Sequence, residues 1–193
     1  MSQRSLRTRL GVAFAAVALG AVALTACSGE TESTVAEGTD TTGTTEEVDY
    51  FFSEGDAPEN PERVLALWRV GSVLADLGVV PVGALEGELV EQELTDEQWA
   101  TVDDVPTVGT YEGVDIEKVI ELDPDLIIGM DNGGLSMDYA ELAELYPVRI
   151  LDIAEPVDVW RNYETVADLT GTTSQFDEGQ AALDERLAAI KTE

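Results

Sequence analysis

From Arg63 onward, continuous apolar runs alternate with stretches whose apolar residues recur every three or four positions. Arg63–Trp68 (RVLALW), Val79–Leu85 (VVPVGAL), Asp125–Gly129 (DLIIG) and Pro147–Ile153 (PVRILDI) are apolar on both faces. Such runs suit parallel strands covered by helices. Between them, Gly71–Gly78 (GSVLADLG) reads as a short helix closed by glycine. TDEQWATV opens on Thr95 and Gln98, a capping-box pair. Ile116, Val119 and Ile120 form the apolar side of the next helix, which must stop at Asp123 because Pro124 follows. Gly133–Leu145 reads as a helix with Ser136 as N-cap and Leu142 and Leu145 on one side. Pro156–Gly171 carries Pro near its start and Gly past its end. This alternation predicts an α/β layer architecture.

The two ends of the chain differ from this pattern. Arg4, Arg7 and Arg9 precede an apolar run from Leu10 to Leu24, and LTAC closes at Cys27. That order reads as a secretory leader over residues 1–26, too short and wrongly flanked for a transmembrane span. LTAC resembles the bacterial lipobox, in which the cysteine thiol is lipidated and becomes the first residue. Cys27 is the only cysteine, so no disulfide framework exists. Residues 27–55 form a Thr-, Glu- and Gly-rich acidic tether, broken by the apolar VDYFF at Val48–Phe52, which reads as a short strand or a segment packed on the domain. One domain is expected over residues 56–172. At residues 173–193, Phe176, Leu183, Leu187 and Ile190 make an apolar stripe on a helix with no stop signal after Lys191, so the chain is read as truncated.

Composition removes several chemistries. Forty acids against ten bases give a net charge of −30, or −33 once the three leader arginines are gone. Nucleic acid is a poor partner for that field. There is no histidine, which excludes Ser-His-Asp and Cys-His arrangements and histidine-ligated zinc. Neither a phosphate-cradling glycine loop nor an EF-hand spacing occurs. Carboxylates are so numerous that a pair of them has no diagnostic value, and catalysis has little support.

The most specific stretch is Val108–Gly129, VGTYEGVDIEKVIELDPDLIIG: a VG, then Asp-hydrophobic-Glu-Lys-Val, then Leu-x-Pro-Asp-Leu-Ile-Ile. With the lipobox, the acidic tether, PERVLALW and LADLGVVPVG, it resembles the periplasmic iron-siderophore and cobalamin binding proteins of ABC importers. GLSMDYAELAELYPV is similar to the siderophore branch of that family. The resemblance implies a Rossmann-like, parallel-sheet N-terminal lobe of a two-lobed periplasmic-binding-protein fold, ending in the start of a long interlobe helix. It implies a binding protein rather than an enzyme, without a cofactor, that captures a ferric siderophore and passes it to an ABC transporter permease. It also implies a monomer held by its lipid on the outer face of the bacterial cytoplasmic membrane. Cobalamin or heme is the near alternative ligand, and a remnant that binds nothing is the other.

By the same resemblance, the ligand is met by loops at the C-terminal ends of strands, where open α/β sheets also bind ligands on physical grounds. The candidates are Trp68 and Arg69 after RVLAL, Tyr111 and Glu112 before the helix, and Met130, Asp131 and Asn132 after DLIIG. Trp68 equally fits a core position, Arg69 a surface charge and Tyr111 a loop packing residue. Trp99, Trp160 and Tyr163 lie inside helical patterns and read as core. The negative field favours neutral or cationic ferric hydroxamates over polyanionic catecholates. Glu117, on the polar side of its helix, reads from the residues as a solvated acid or a partner contact. In the family, a glutamate at that position pairs with arginines of the permease.

Overall fold

Continuous apolar runs flanked by amphipathic stretches bury most surface as a sheet between helices, and the computed structural model, which describes residues 48–191, has that form. In chain order the elements are β1 (Tyr50–Glu54), β2 (Val64–Ala66), α1 (Gly71–Asp76), β3 (Gly83–Ala84), α2 (Asp96–Val102), β4 (Gly109–Thr110) and β5 (Gly113–Val114). Then follow α3 (Ile116–Leu122), β6 (Leu126–Asp131), α4 (Tyr139–Ala143), β7 (Val148–Asp152), α5 (Asp158–Leu169) and α6 (Thr173–Lys191). The leader, Cys27 and the tether as far as residue 47 lie outside the described residues.

The main sheet runs β1-β7-β6-β2-β3. β7, β6, β2 and β3 are mutually parallel, and β1 adds an antiparallel edge against β7. The edge strand takes up the VDYFF segment and continues to Glu54, inside the stretch read as tether. Tyr50 pairs with Leu151 and Glu54 with Val148, and Phe51 and Phe52 pack on the ring of Tyr139 at 6.2 and 5.8 Å. Aromatic burial and a free sheet edge outweigh the polar composition upstream.

Period-two alternation along β6 explains why both faces are apolar. Leu126, Ile128 and Met130 join one buried cluster with Val73 and Leu74 of α1 and Val166 and Ala167 of α5. Ile127 joins the other with Val119 of α3 and Leu142 of α4. The result is three layers, with α1 and α5 on one face and α3 and α4 on the other. Truncating a side chain such as Ile127 or Ile128 to Ala costs about 2–5 kcal/mol.

Local signals set several boundaries. Thr95 and Gln98 form both bonds of the capping box: Gln98 N donates to Thr95 Oγ1 at 3.2 Å and Thr95 N to Gln98 Oε1 at 2.9 Å. α3 ends at Asp123, which takes a left-handed φ of 42° before Pro124. Asp125 then accepts the amides of Glu62 and Arg63 at 2.7 and 2.9 Å, fixing the start of β2 against the start of β6.

Other expectations need correction. The N-cap of α4 is Asp138, whose Oδ1 accepts Glu141 N at 3.1 Å, and not Ser136. α4 closes at Ala143, so Leu145 escapes the helical spacing and is 48% exposed. Ile120 is 49% exposed, because only Val119 of its pair points squarely at the sheet. Trp160 is 67% exposed rather than core. Phe176 of α6 packs on Tyr163 at 6.0 Å between ring centroids, while Leu183, Leu187 and Ile190 remain exposed. No described helix is long and apolar enough to cross a membrane.

Candidate functional site

Parallel strands β2, β3 and β6 all deliver their loops to one end of the sheet. The β2 loop is the most constrained. Leu67 N donates to Ile128 O at 2.8 Å and Met130 N to Trp68 O at 3.0 Å, so the ladder continues to the last residue before the turn. Arg69 then adopts φ 64°, a left-handed conformation uncommon for a non-glycine residue, and α1 begins at Gly71. The turn throws both side chains outward. Arg69 Cζ lies 4.5 Å from the centroid of the half-buried Trp68 ring.

Tyr111 and Glu112 form the two-residue turn of the β4–β5 hairpin, in which Thr110 pairs with Gly113. Glu112 N donates to Thr110 Oγ1 at 3.2 Å, and Tyr111 is 51% exposed. Gly109 is required beneath this turn, since its φ is 152° and a Cβ there would lie 2.3 Å from Gly113 O.

Trp68, Tyr111 and Glu112 meet Gly134, Leu135 and Ser136 around a shallow depression of about 710 Å³. Trp68 and Arg69 also border a second depression of about 390 Å³ with Glu88, Glu93, Val159 and Trp160. Four of the seven candidate ligand residues are thus brought together. Asn132 is exposed but borders neither depression; its Oδ1 accepts Gly134 N at 3.0 Å.

Met130 and Asp131 are corrected. β6 runs two residues past Gly129, so Met130 falls on a covered face and is 0% exposed. Asp131, 1% exposed, accepts Tyr139 Oη at 2.7 Å on Oδ2 and the amides of Gly133 and Gly134 at 2.8 and 3.2 Å on Oδ1. Its bonds shape the loop that borders the larger depression. Burial pushes the Tyr139 phenol far above its usual range, and its bond to Asp131 and the charge of Asp131 add to the shift.

The sequence reading passed over Glu88, on the β3 loop. It is 9% exposed, and its Oε2 accepts Gly71 N at 3.3 Å. Burial raises its carboxyl above the ordinary carboxylate range, against the pull of the Arg69, Gly71 and Val70 amides and the Arg69 charge. The available signal was position alone, a loop at the C-terminal end of a parallel strand. Glu117 is exposed in the first turn of α3, borders neither depression and, among the described residues, forms no ion pair.

Comparison with known proteins bears on the family and the fold. The family profile described as "Periplasmic binding protein" matches residues 70–193. The chain is 32% identical over 197 residues to the iron(3+)-hydroxamate-binding protein FhuD of Bacillus subtilis (strain 168), covering 95% of this chain and 56% of FhuD. It is 28% identical over 148 residues to YhfQ of the same organism, which is named as an ABC transporter substrate-binding lipoprotein, covering 75% of this chain and 45% of YhfQ. The fold is similar to that of the Fe3+-Desferal-bound siderophore binding protein FhuD from Vibrio cholerae, at 26% identity and TM-score 0.53, covering 67% of this chain and 50% of that one. The chain spans about half the length of the curated relatives it matches. With the parallel-sheet core and a family match over most of the folded unit, the chain belongs to the periplasmic binding protein family.

Proposed function

We propose that this chain supplies the N-terminal lobe of an extracytoplasmic solute-binding protein of an ABC importer. It captures a ferric siderophore of the hydroxamate class and hands it to a permease. The observation that carries this reading is the Trp68–Arg69 pair, projected with Tyr111 from loops at the C-terminal end of a parallel sheet. Indole and phenol faces cover the apolar shell of a chelate, and a guanidinium donates to its anionic oxygens. The local charge favours hydroxamates: Arg69 is the one cation bordering the two depressions, beside Glu88, Glu93 and Glu112. A neutral or cationic chelate fits such a surface better than a polyanionic tris-catecholate. The names of the hydroxamate-binding and Desferal-bound relatives support the same class.

In this reading α6 opens the helix toward a second lobe, a view supported by the share of its relatives that the chain spans. Cys27 carries the lipid anchor on the outer face of the cytoplasmic membrane, the protein acts as a monomer, and Glu117 docks the permease. The test is calorimetric titration of the full gene product with ferrioxamine B, iron-free desferrioxamine, a ferric tris-catecholate and cobalamin. Saturable binding of ferrioxamine B alone supports the reading. Binding of cobalamin alone, or of none, overturns it.

A further inference from the structure

We infer that Glu88 is the positioning residue of the binding turn: from the neighbouring β3 loop, its buried carboxylate holds Arg69 in the left-handed conformation that presents the Trp68–Arg69 pair. The inference rests on the binding reading above for the pair's role, and on geometry for the rest.

Among the described residues only two acids are buried, Glu88 and Asp131. Asp131 is committed to Tyr139 and the glycine amides. Glu88 is committed to the Trp68–Arg69 turn, through Gly71 N at 3.3 Å. The backbone there passes from φ 64° at Arg69 to φ −109°, ψ −20° at Val70. A left-handed residue followed by a right-handed one makes successive amides converge on one point, a nest for an anion. Of these amides, Gly71 N donates to the Glu88 carboxylate at 3.3 Å and Val70 N to Leu67 O at 3.3 Å, while the Arg69 and Val70 amides lie near enough to pull the Glu88 carboxyl downward. α1 has no side-chain cap of its own, since Val70 stands at its N-cap, so the cap comes from the next strand's loop.

The Glu88 loop packs directly on the turn. A Cβ at Gly71 would lie 2.7 Å from Glu88 Cβ and 2.9 Å from Glu88 O. A non-glycine residue stays in the left-handed region only where its surroundings over-determine it. Here the determinant is an acid 19 positions away from the residue it constrains, and of the side chains it sets Trp68 borders both depressions and Arg69 the smaller one. The charged groups bordering the same depression are Arg69 and Glu93, with Tyr163 a further titratable neighbour.

The test uses Glu88→Ala and Glu88→Gln in the full gene product, read two ways. Without ligand, amide NMR shifts of Arg69, Val70 and Gly71 are followed against pH. The inference expects the three to titrate together in the wild type, to stop titrating in Glu88→Gln and to move away from their folded positions in Glu88→Ala. With ferrioxamine B, Glu88→Ala is expected to weaken binding at least tenfold and Glu88→Gln about threefold, since the amide oxygen still accepts from the nest. A folded Glu88→Ala with wild-type amide shifts overturns the inference, whatever binds. Wild-type protein that ignores ferrioxamine B while its three amides titrate together leaves Glu88 as the organiser of the turn and overturns the ligand assignment instead.

Discussion

The Cζ of Arg69 stands over Trp68, 4.5 Å from the ring centroid, and Met130 N donates to the Trp68 carbonyl at 3.0 Å. The pair is therefore set before any ligand arrives, which lowers the ordering cost of binding. Such stacking contributes about 0.5–2 kcal/mol. Trp68→Ala and Arg69→Ala are each expected to weaken ferric hydroxamate binding about tenfold, equivalent to about 1.4 kcal/mol. Arg69→Lys should recover little, because a lysine lacks the planar fork. Calorimetry on the three variants checks this, and wild-type affinity in Arg69→Ala would remove Arg69 from the site.

Tyr139 and Asp131 carry the loop on the far side of the larger depression. Tyr139→Phe keeps the ring packing against Phe51 and Phe52 but leaves the buried carboxylate one donor short. The expected cost is about 1–3 kcal/mol in urea unfolding, with an unchanged m-value. In a double-mutant cycle with Asp131→Asn the two changes should be strongly non-additive. Additive losses would mean that the bond does not organise the loop.

Glu88 gives stability a pH dependence of known sign. Its folded carboxyl titrates above its ordinary 4.5, with burial the largest cause. The protonated form is thus favoured by folding, and the stability it contributes is complete below the unfolded value and lost as pH rises through the folded one. Glu88→Gln should unfold at higher urea than the wild type at pH 7, with the gap shrinking as pH falls to 4. A gap that widens on acidification would reverse the assignment of burial as the dominant influence. The cost at neutral pH is of the kind proteins carry at functional positions.

Under the proposed function, Glu117 should separate docking from capture. It is exposed and borders neither depression. Glu117→Arg should leave ferrioxamine B affinity within about twofold while iron uptake by cells falls, since charge across such a surface governs orientation and encounter. Growth on the ferric hydroxamate as sole iron source checks it, and unchanged uptake would make Glu117 a solvated acid.

The layered α/β core was legible because its signals are local or periodic. Thr95 and Gln98 are three residues apart, Pro124 stops α3 by sterics, and a run such as Leu126–Ile128 admits few placements. Strand ends carry no comparable mark. Met130 and Asp131 read as loop residues because Gly129 looks like a terminus, yet β6 continues, and the partner that explains Asp131 stands eight residues further on at Tyr139. β1 was legible as the apolar VDYFF inside a polar tract, but its antiparallel pairing with β7 and its extension to Glu54 were not, since both depend on register against a strand about a hundred residues away. Asp138 rather than Ser136 caps α4, and both residue types cap well, so local sequence did not separate them. Glu88 was illegible: nothing local separates it from the chain's other acids, and its partner amide lies 17 residues back.

The most direct measurement is the affinity of the full gene product for ferrioxamine B beside that of iron-free desferrioxamine, by quenching of tryptophan fluorescence. The account predicts saturable quenching by the ferric chelate, loss of most of that signal in Trp68→Phe, and at least a hundredfold weaker response to the iron-free form. Equal responses to the two forms, or no response to either, would contradict the claim that this cleft is built for a ferric hydroxamate.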